Sequence, residues 1–134
     1  MEEEREITSY FSQARKIISV RDGKTLNLIN EDKKKVESAL MKMCEKAVQM
    51  PAFGVSLDAL TRSEMQRGVW LRLVYENTQI CSGMPFTELA FQIVPEYGGF
   101  NLCRLYNGAY EGRCFYLDLR GNNMSALYGV LTGL

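Results

Sequence analysis

The dipeptide Asn107-Gly108, set between Leu105-Tyr106 and Ala109-Tyr110, limits the folding of this chain more than any other feature. Asn-Gly readily supplies the two positive φ angles of a type I′ turn, whose twist matches the strands it joins. The spacing predicts a two-residue hairpin with Tyr106 facing Ala109, Arg104 facing Glu111, Leu102 facing Arg113 and Phe100 facing Phe115. Side chains alternate along a strand, so these residues share one face with Leu117 and Leu119. The opposite face carries Asn101, Cys103, Leu105, Tyr110, Cys114 and Tyr116. Both faces hold large apolar groups, whereas a sheet packed on one side only is polar on the other. Something has to cover the second face. Either neighbouring elements do so, or Leu105, Tyr106, Tyr110 and Tyr116 form a protein interface, a setting in which tyrosine is enriched.

The rest of the chain divides at Pro51. Before it, Ile7, Tyr10, Phe11, Ala14, Ile17 and Ile18 fall on one helical face and predict a helix over residues 4–19. Arg21-Asp22-Gly23-Lys24 is a turn signal, followed by an extended stretch or short strand over 25–29. A second helix, capped by Asn30 or Asp32, is expected to run to about residue 49. Val36, Ala39, Leu40, Met43, Cys44, Ala47 and Val48 form its apolar stripe, and Pro51 ends it because proline has no amide donor.

Beyond Pro51 the period becomes two. Val69, Leu71, Leu73 and Tyr75 share one face of a strand, with Trp70, Arg72 and Val74 on the other. Leu89, Phe91 and Ile93 oppose Glu88, Ala90, Gln92 and Val94 in the same way. Residues 53–60 make a weaker strand around Phe53, Val55 and Leu57, and 63–66 a helical turn. Met124, Leu127, Tyr128 and Leu131 recur at helical spacing. The expected fold is α+β: two N-terminal helices packed on a mainly antiparallel sheet of four to six strands, with a short C-terminal helix. The two helices cover one sheet face, and the C-terminal helix or loops the other. At 134 residues the chain is the length of a single domain, 1–134, and buries enough surface to need no disulfide or metal.

Several chemistries are disfavoured. Histidine is absent, which removes the Ser-His, Cys-His and His-metal designs. Lys plus Arg and Asp plus Glu each number 16, so no net positive field points to nucleic acid or an anionic membrane. The Lys33-Lys34-Lys35 run is balanced by Glu31, Asp32 and Glu37. Neither GxxxxGK[ST] nor GxGxxG occurs. Gly54-Val55-Ser56-Leu57-Asp58 has the first half of a nucleophile elbow and lacks its final glycine. No apolar run approaches the ~20 residues that cross a bilayer, and the acidic N-terminus is not a secretory signal. The four cysteines, Cys44, Cys81, Cys103 and Cys114, lack zinc or disulfide spacing, so a reducing cytoplasm is expected. In the Asn107-Gly108 register Cys103 and Cys114 lie diagonally, and a disulfide between them requires a different register.

Trp70 and Arg72 share a strand face where a guanidinium can stack on an indole. With Arg104 and Arg113 they make a candidate shelf for a small ligand or anion. The competing reading is structural: a long side chain shielding an aromatic, and an Arg104–Glu111 ion pair across the hairpin. Glu64, Glu76, Glu88, Glu96, Glu111 and Asp118 are scattered, with no spacing that forces two carboxylates together. The first expectation is a non-catalytic interaction or regulatory protein that uses the hairpin to bind a protein partner or a second copy of itself. The alternative is a small-ligand or anion-binding domain, and a histidine-free enzyme ranks third. No cofactor, metal, nucleic acid or membrane partner is expected.

Overall fold

The computed structural model describes residues 6–51 and 54–134. It is an α+β fold built on one mainly antiparallel sheet. The elements run in the order η1 (Ile7–Gln13, a 3-10 helix), β1 (Lys16–Arg21), β2 (Lys24–Leu28), α1 (Asn30–Met43), β3 (Val48–Met50), β4 (Val55–Ser56) and α2 (Asp58–Glu64). There follow β5 (Val69–Cys81), β6 (Met84–Ile93), β7 (Gly99–Tyr106), β8 (Ala109–Tyr110), β9 (Gly112–Arg113), β10 (Phe115–Asp118) and α3 (Ser125–Thr132). The main sheet has eight strands in the order β2-β1-β5-β6-β7-β10-β3, with β8 paired to β7, and β4 and β9 form a separate two-stranded ribbon. The sheet is thus larger than four to six strands.

Three two-residue turns set its pairing. Asp22-Gly23, Ser82-Gly83 and Asn107-Gly108 all have positive φ at both positions, the requirement of a type I′ hairpin. They join β1 to β2, β5 to β6 and β7 to β8. At the last of these Tyr106 opposes Ala109 as expected from Asn-Gly.

Farther along, the register departs from expectation. Phe115 opposes Leu102, not Phe100, and Leu117 opposes Phe100. Gly112 and Arg113 leave the β7 ladder to pair with Ser56 and Val55, which moves the following strand by two residues. A two-residue displacement preserves the side-chain faces, because their period is two. Phe100, Leu102, Phe115, Leu117 and Leu119 therefore still share the larger core. Arg104 makes no ion pair with Glu111. Its Nε donates to the Arg113 carbonyl (2.8 Å) and its Nη1 to the Pro85 carbonyl (2.7 Å).

The N-terminal half also differs from its helical reading. The expected helix over 4–19 is the short η1 followed by β1; residues 4 and 5 lie outside the described residues. Ile7, Tyr10 and Phe11 are buried as that pattern required, but Ile17 belongs to the large core while Ile18 and Val20 face the second one. β-Branched residues with apolar contacts on both sides suit a strand buried between layers, and β1 is held between β2 and β5. The second helix ends at Met43, before residue 49. Residues 48–50 instead pair with Tyr116–Asp118, satisfying backbone groups at what would otherwise be an open sheet edge. The weak strand over 53–60 is reduced to β4, with Phe53 outside the described residues and 58–60 taken up by α2, and of the helical turn expected over 63–66 only 63 and 64 are in that helix.

On one face of the sheet η1, α1 and α3 bury Ile7, Phe11, Val36, Leu40, Leu127 and Leu131 against Leu71, Leu73, Leu89 and Phe91. Each such side chain contributes roughly 1.5–3 kcal/mol by leaving water. Phe86 is the aromatic centre, with Tyr10, Tyr75 and Phe115 edge-on at 5.6, 5.4 and 6.0 Å. α3 joins α1 on this face and does not cover the other. The second face has a smaller core of Val20, Met65, Trp70, Ala90 and Tyr110, and α2 lies over it.

Candidate functional site

The segment from Gly54 through α2 makes one wall of a groove over the second sheet face. It is fastened to the β7–β8 hairpin at several points. The Cys114 N–H donates to the Gly54 carbonyl (3.0 Å), and the Ser56 hydroxyl donates to the Tyr110 carbonyl (3.3 Å). The Asp58 carboxylate accepts the Tyr110 N–H (2.8 Å). One turn later Arg62 pairs with Asp58 (2.9 Å), donates to the Gly108 carbonyl (2.9 Å) and lies 5.2 Å over the Tyr110 ring. The local signal for this helix is the Asp58–Arg62 spacing, a favourable i,i+4 pair with the acid in the first turn. The Tyr110 N–H, and after it Arg62, hold the Asp58 carboxyl below the ordinary carboxylate value.

The groove has a volume of about 780 Å³. Its floor comes from alternate residues of the second sheet face: Trp70, Gln92, Asn101 and Cys103, with Cys114 and Tyr116 beside them. Leu57 and Leu60 on one wall are 61% and 58% exposed, and Tyr97 at the far end is 55% exposed, so a ligand could cover apolar surface that now meets water. Trp70 donates its indole N–H to the Arg67 carbonyl (3.2 Å), which fixes the ring. Gly99 is needed beneath Tyr116: a Cβ there would lie 2.8 Å from the Leu117 carbonyl oxygen and closer still to the Tyr116 phenol.

Three carboxylates, Glu64, Glu96 and Asp118, line the groove, and no Lys or Arg is among its lining residues. Glu64 lies 3.9 Å from Arg67, and Asp118 accepts the Arg120 backbone N–H at 2.9 Å. Glu64 lies on α2, Glu96 in the loop after β6 and Asp118 on β10, so their place around one groove has no counterpart in sequence spacing. Among the described residues no group of three or more Cys, Asp or Glu side chains is arranged to hold a metal ion. None of the described helices is long and apolar enough to cross a membrane.

The residues singled out from sequence are distributed as follows. Tyr116 and Trp70 line the groove. Tyr106, at the hairpin tip, is 38% exposed and Leu105 is half-buried. Tyr110 is only 2% exposed; α2 covers it, which removes it from any surface open to a partner. Arg72 shares the Trp70 face but makes two hydrogen bonds to Glu88, 2.7 and 2.8 Å. Arg104 is opposite Leu89 on the side of the larger core, and Arg113 is exposed on β9. Trp70, Arg72, Arg104 and Arg113 are therefore not gathered into one shelf. Comparison with protein-family models, curated proteins and solved structures finds no match to this chain.

Proposed function

We propose that this chain is a non-catalytic binding protein for a small amphipathic cation, an amine joined to an aromatic or branched apolar body, held in the groove beneath α2. The supporting observation is the lining of that groove: three carboxylates, an ordered indole and exposed leucines, without a basic side chain. A volume near 780 Å³ falls within the range of about 300–1,000 Å³ occupied by small-molecule sites. An ammonium gains ~1.5–3 kcal/mol per hydrogen bond to a carboxylate, while the Trp70 indole, 6% exposed, supplies part of the apolar floor. An anion in the same place would meet like charge. This chemistry favours a cation over the anion considered from sequence.

Trp70 is the only tryptophan, so its emission reports on the groove floor. Titration with a panel of aromatic amines, alkylamines and polyamines, against aromatic carboxylates of matching size, tests the reading. Saturable emission change and thermal stabilisation are expected with amines. The double substitution Glu64→Gln, Glu96→Gln should weaken binding about tenfold or more, that is by ~1.4 kcal/mol or more. A response confined to the carboxylates, or none across the panel, overturns it.

A further inference from the structure

We infer that Cys103 and Cys114 are a redox pair opening into the groove, in which Cys114 is the site of oxidation and Cys103 closes the disulfide. This goes beyond the binding reading and does not depend on it. The displaced register carries the inference. Leu102 opposes Phe115 as the last pair of that ladder, and Cys103 and Cys114 are the next residues beyond it in the same register, where the undisplaced hairpin would have set them diagonally. Their sulfurs are 4.0 Å apart. Opposed residues of antiparallel strands have Cα atoms ~4.5–5.5 Å apart, inside the ~4.4–6.8 Å that a disulfide spans. A sulfur–sulfur bond of ~2.05 Å then requires side-chain rotation with little movement of the strands.

Both cysteines line the groove, Cys103 half-buried and Cys114 5% exposed, so the groove is the side from which a small oxidant reaches them. The other two thiols are differently placed. Cys44 and Cys81 belong to the large core under the helices, and burial pushes the Cys44 thiol up to about 12. At the pair the polarity is unequal. The Cys114 thiol is held below its ordinary value, first by its hydrogen bond with Cys103 and then by the Ser56 hydroxyl and the Arg104 charge, with burial opposing. The same hydrogen bond, together with burial, raises Cys103. That asymmetry favours Cys114 as the attacking sulfur and Cys103 as the retained thiol.

With hydrogen peroxide as oxidant the chemistry balances. The Cys114 thiolate sulfur attacks one peroxide oxygen, the O–O bond breaks, and hydroxide leaves to be protonated as water. Sulfur is oxidised to the sulfenic acid and the peroxide is reduced. The Cys103 sulfur then attacks the Cys114 sulfur, forming S–S and breaking S–O. The departing hydroxide takes the Cys103 proton and leaves as a second water.

The test uses the full chain, reduced and then exposed to stoichiometric hydrogen peroxide, with free thiols blocked and the digest mapped by mass spectrometry without reduction. The expected product is a Cys103–Cys114 linkage formed within one chain and reversed by dithiothreitol. In Cys103→Ser, a dimedone adduct is expected at Cys114. On the reduced wild-type chain, iodoacetamide should label Cys114 at least ~10-fold faster than Cys44, following the thiolate fraction. Dominant linkages through Cys44 or Cys81, sulfinic acid at Cys114 without a disulfide, or unmodified Cys103 and Cys114 would each overturn the inference. The wild-type map decides the matter even if the serine variant does not fold.

Discussion

Arg72 and Glu88 are joined diagonally across β5 and β6: Arg72 opposes Ala90 and Glu88 opposes Val74, yet two charge-assisted hydrogen bonds of 2.7 and 2.8 Å connect them. The Tyr110 phenol donates to the same Glu88 carboxylate. Glu88 is 3% exposed, and this pair of donors is what allows a carboxylate to sit in the smaller core. The contact also ties the β7–β8 hairpin to the centre of the sheet.

Removing one partner should therefore cost more than removing both. Arg72→Ala leaves a buried carboxylate without its cation and is expected to destabilise by roughly 3–5 kcal/mol. The double variant Arg72→Met, Glu88→Leu should lose markedly less. Urea unfolding midpoints of the single and double variants measure the difference, and a double variant as unstable as Arg72→Ala would contradict this account.

Alkali should unfold the protein through Tyr75 and Tyr110. Burial raises both phenols above the ordinary tyrosine value, and the charges of Tyr10 and Glu88 respectively add to it. Because the folded values are raised, their contribution is intact below about pH 10. It falls as pH rises through the folded values, where the unfolded chain has already lost those protons. Phenolate absorbance should show Tyr75 and Tyr110 ionising together with loss of structure. Independent titration of these two phenols before unfolding would contradict it.

The groove wall should depend on Asp58. Its folded carboxyl is lowered by the Tyr110 N–H and Arg62, so its contribution is present above the ordinary carboxylate value and is lost as pH falls through the folded one. Asp58→Ala should speed proteolytic cleavage within 54–64 and lower the unfolding midpoint, whereas Asp32→Ala, at an exposed position on α1, should do neither. Equal protection in both variants would show that the ribbon between β4 and β9 alone secures the wall.

Much of the strand chemistry was legible from local pattern. The alternation of Val69, Leu71, Leu73 and Tyr75 against Trp70 and Arg72, and of Leu89, Phe91 and Ile93 against Glu88 and Ala90, matches the two cores. The Asn107-Gly108 tip and the C-terminal helix were legible for the same reason. Ile17 and Ile18 were misleading because two adjacent apolar residues satisfy helical spacing as well as a strand buried on both sides. Ala47 and Val48 continued the α1 stripe, but backbone pairing with β10 outweighed that pattern.

What the amino-acid order determined by itself was which side chains share a face and where the tight turns fall, because these follow from backbone geometry over a few residues. Tertiary structure alone decided the rest. Pairing of Gly112 and Arg113 with β4 displaced the last strand, placed Cys103 beside Cys114 and closed α2 over Tyr110. It also gathered Glu64, Glu96 and Asp118 around one groove. Those relationships depend on hydrogen bonds and packing between segments far apart in the chain, to which a local period is blind.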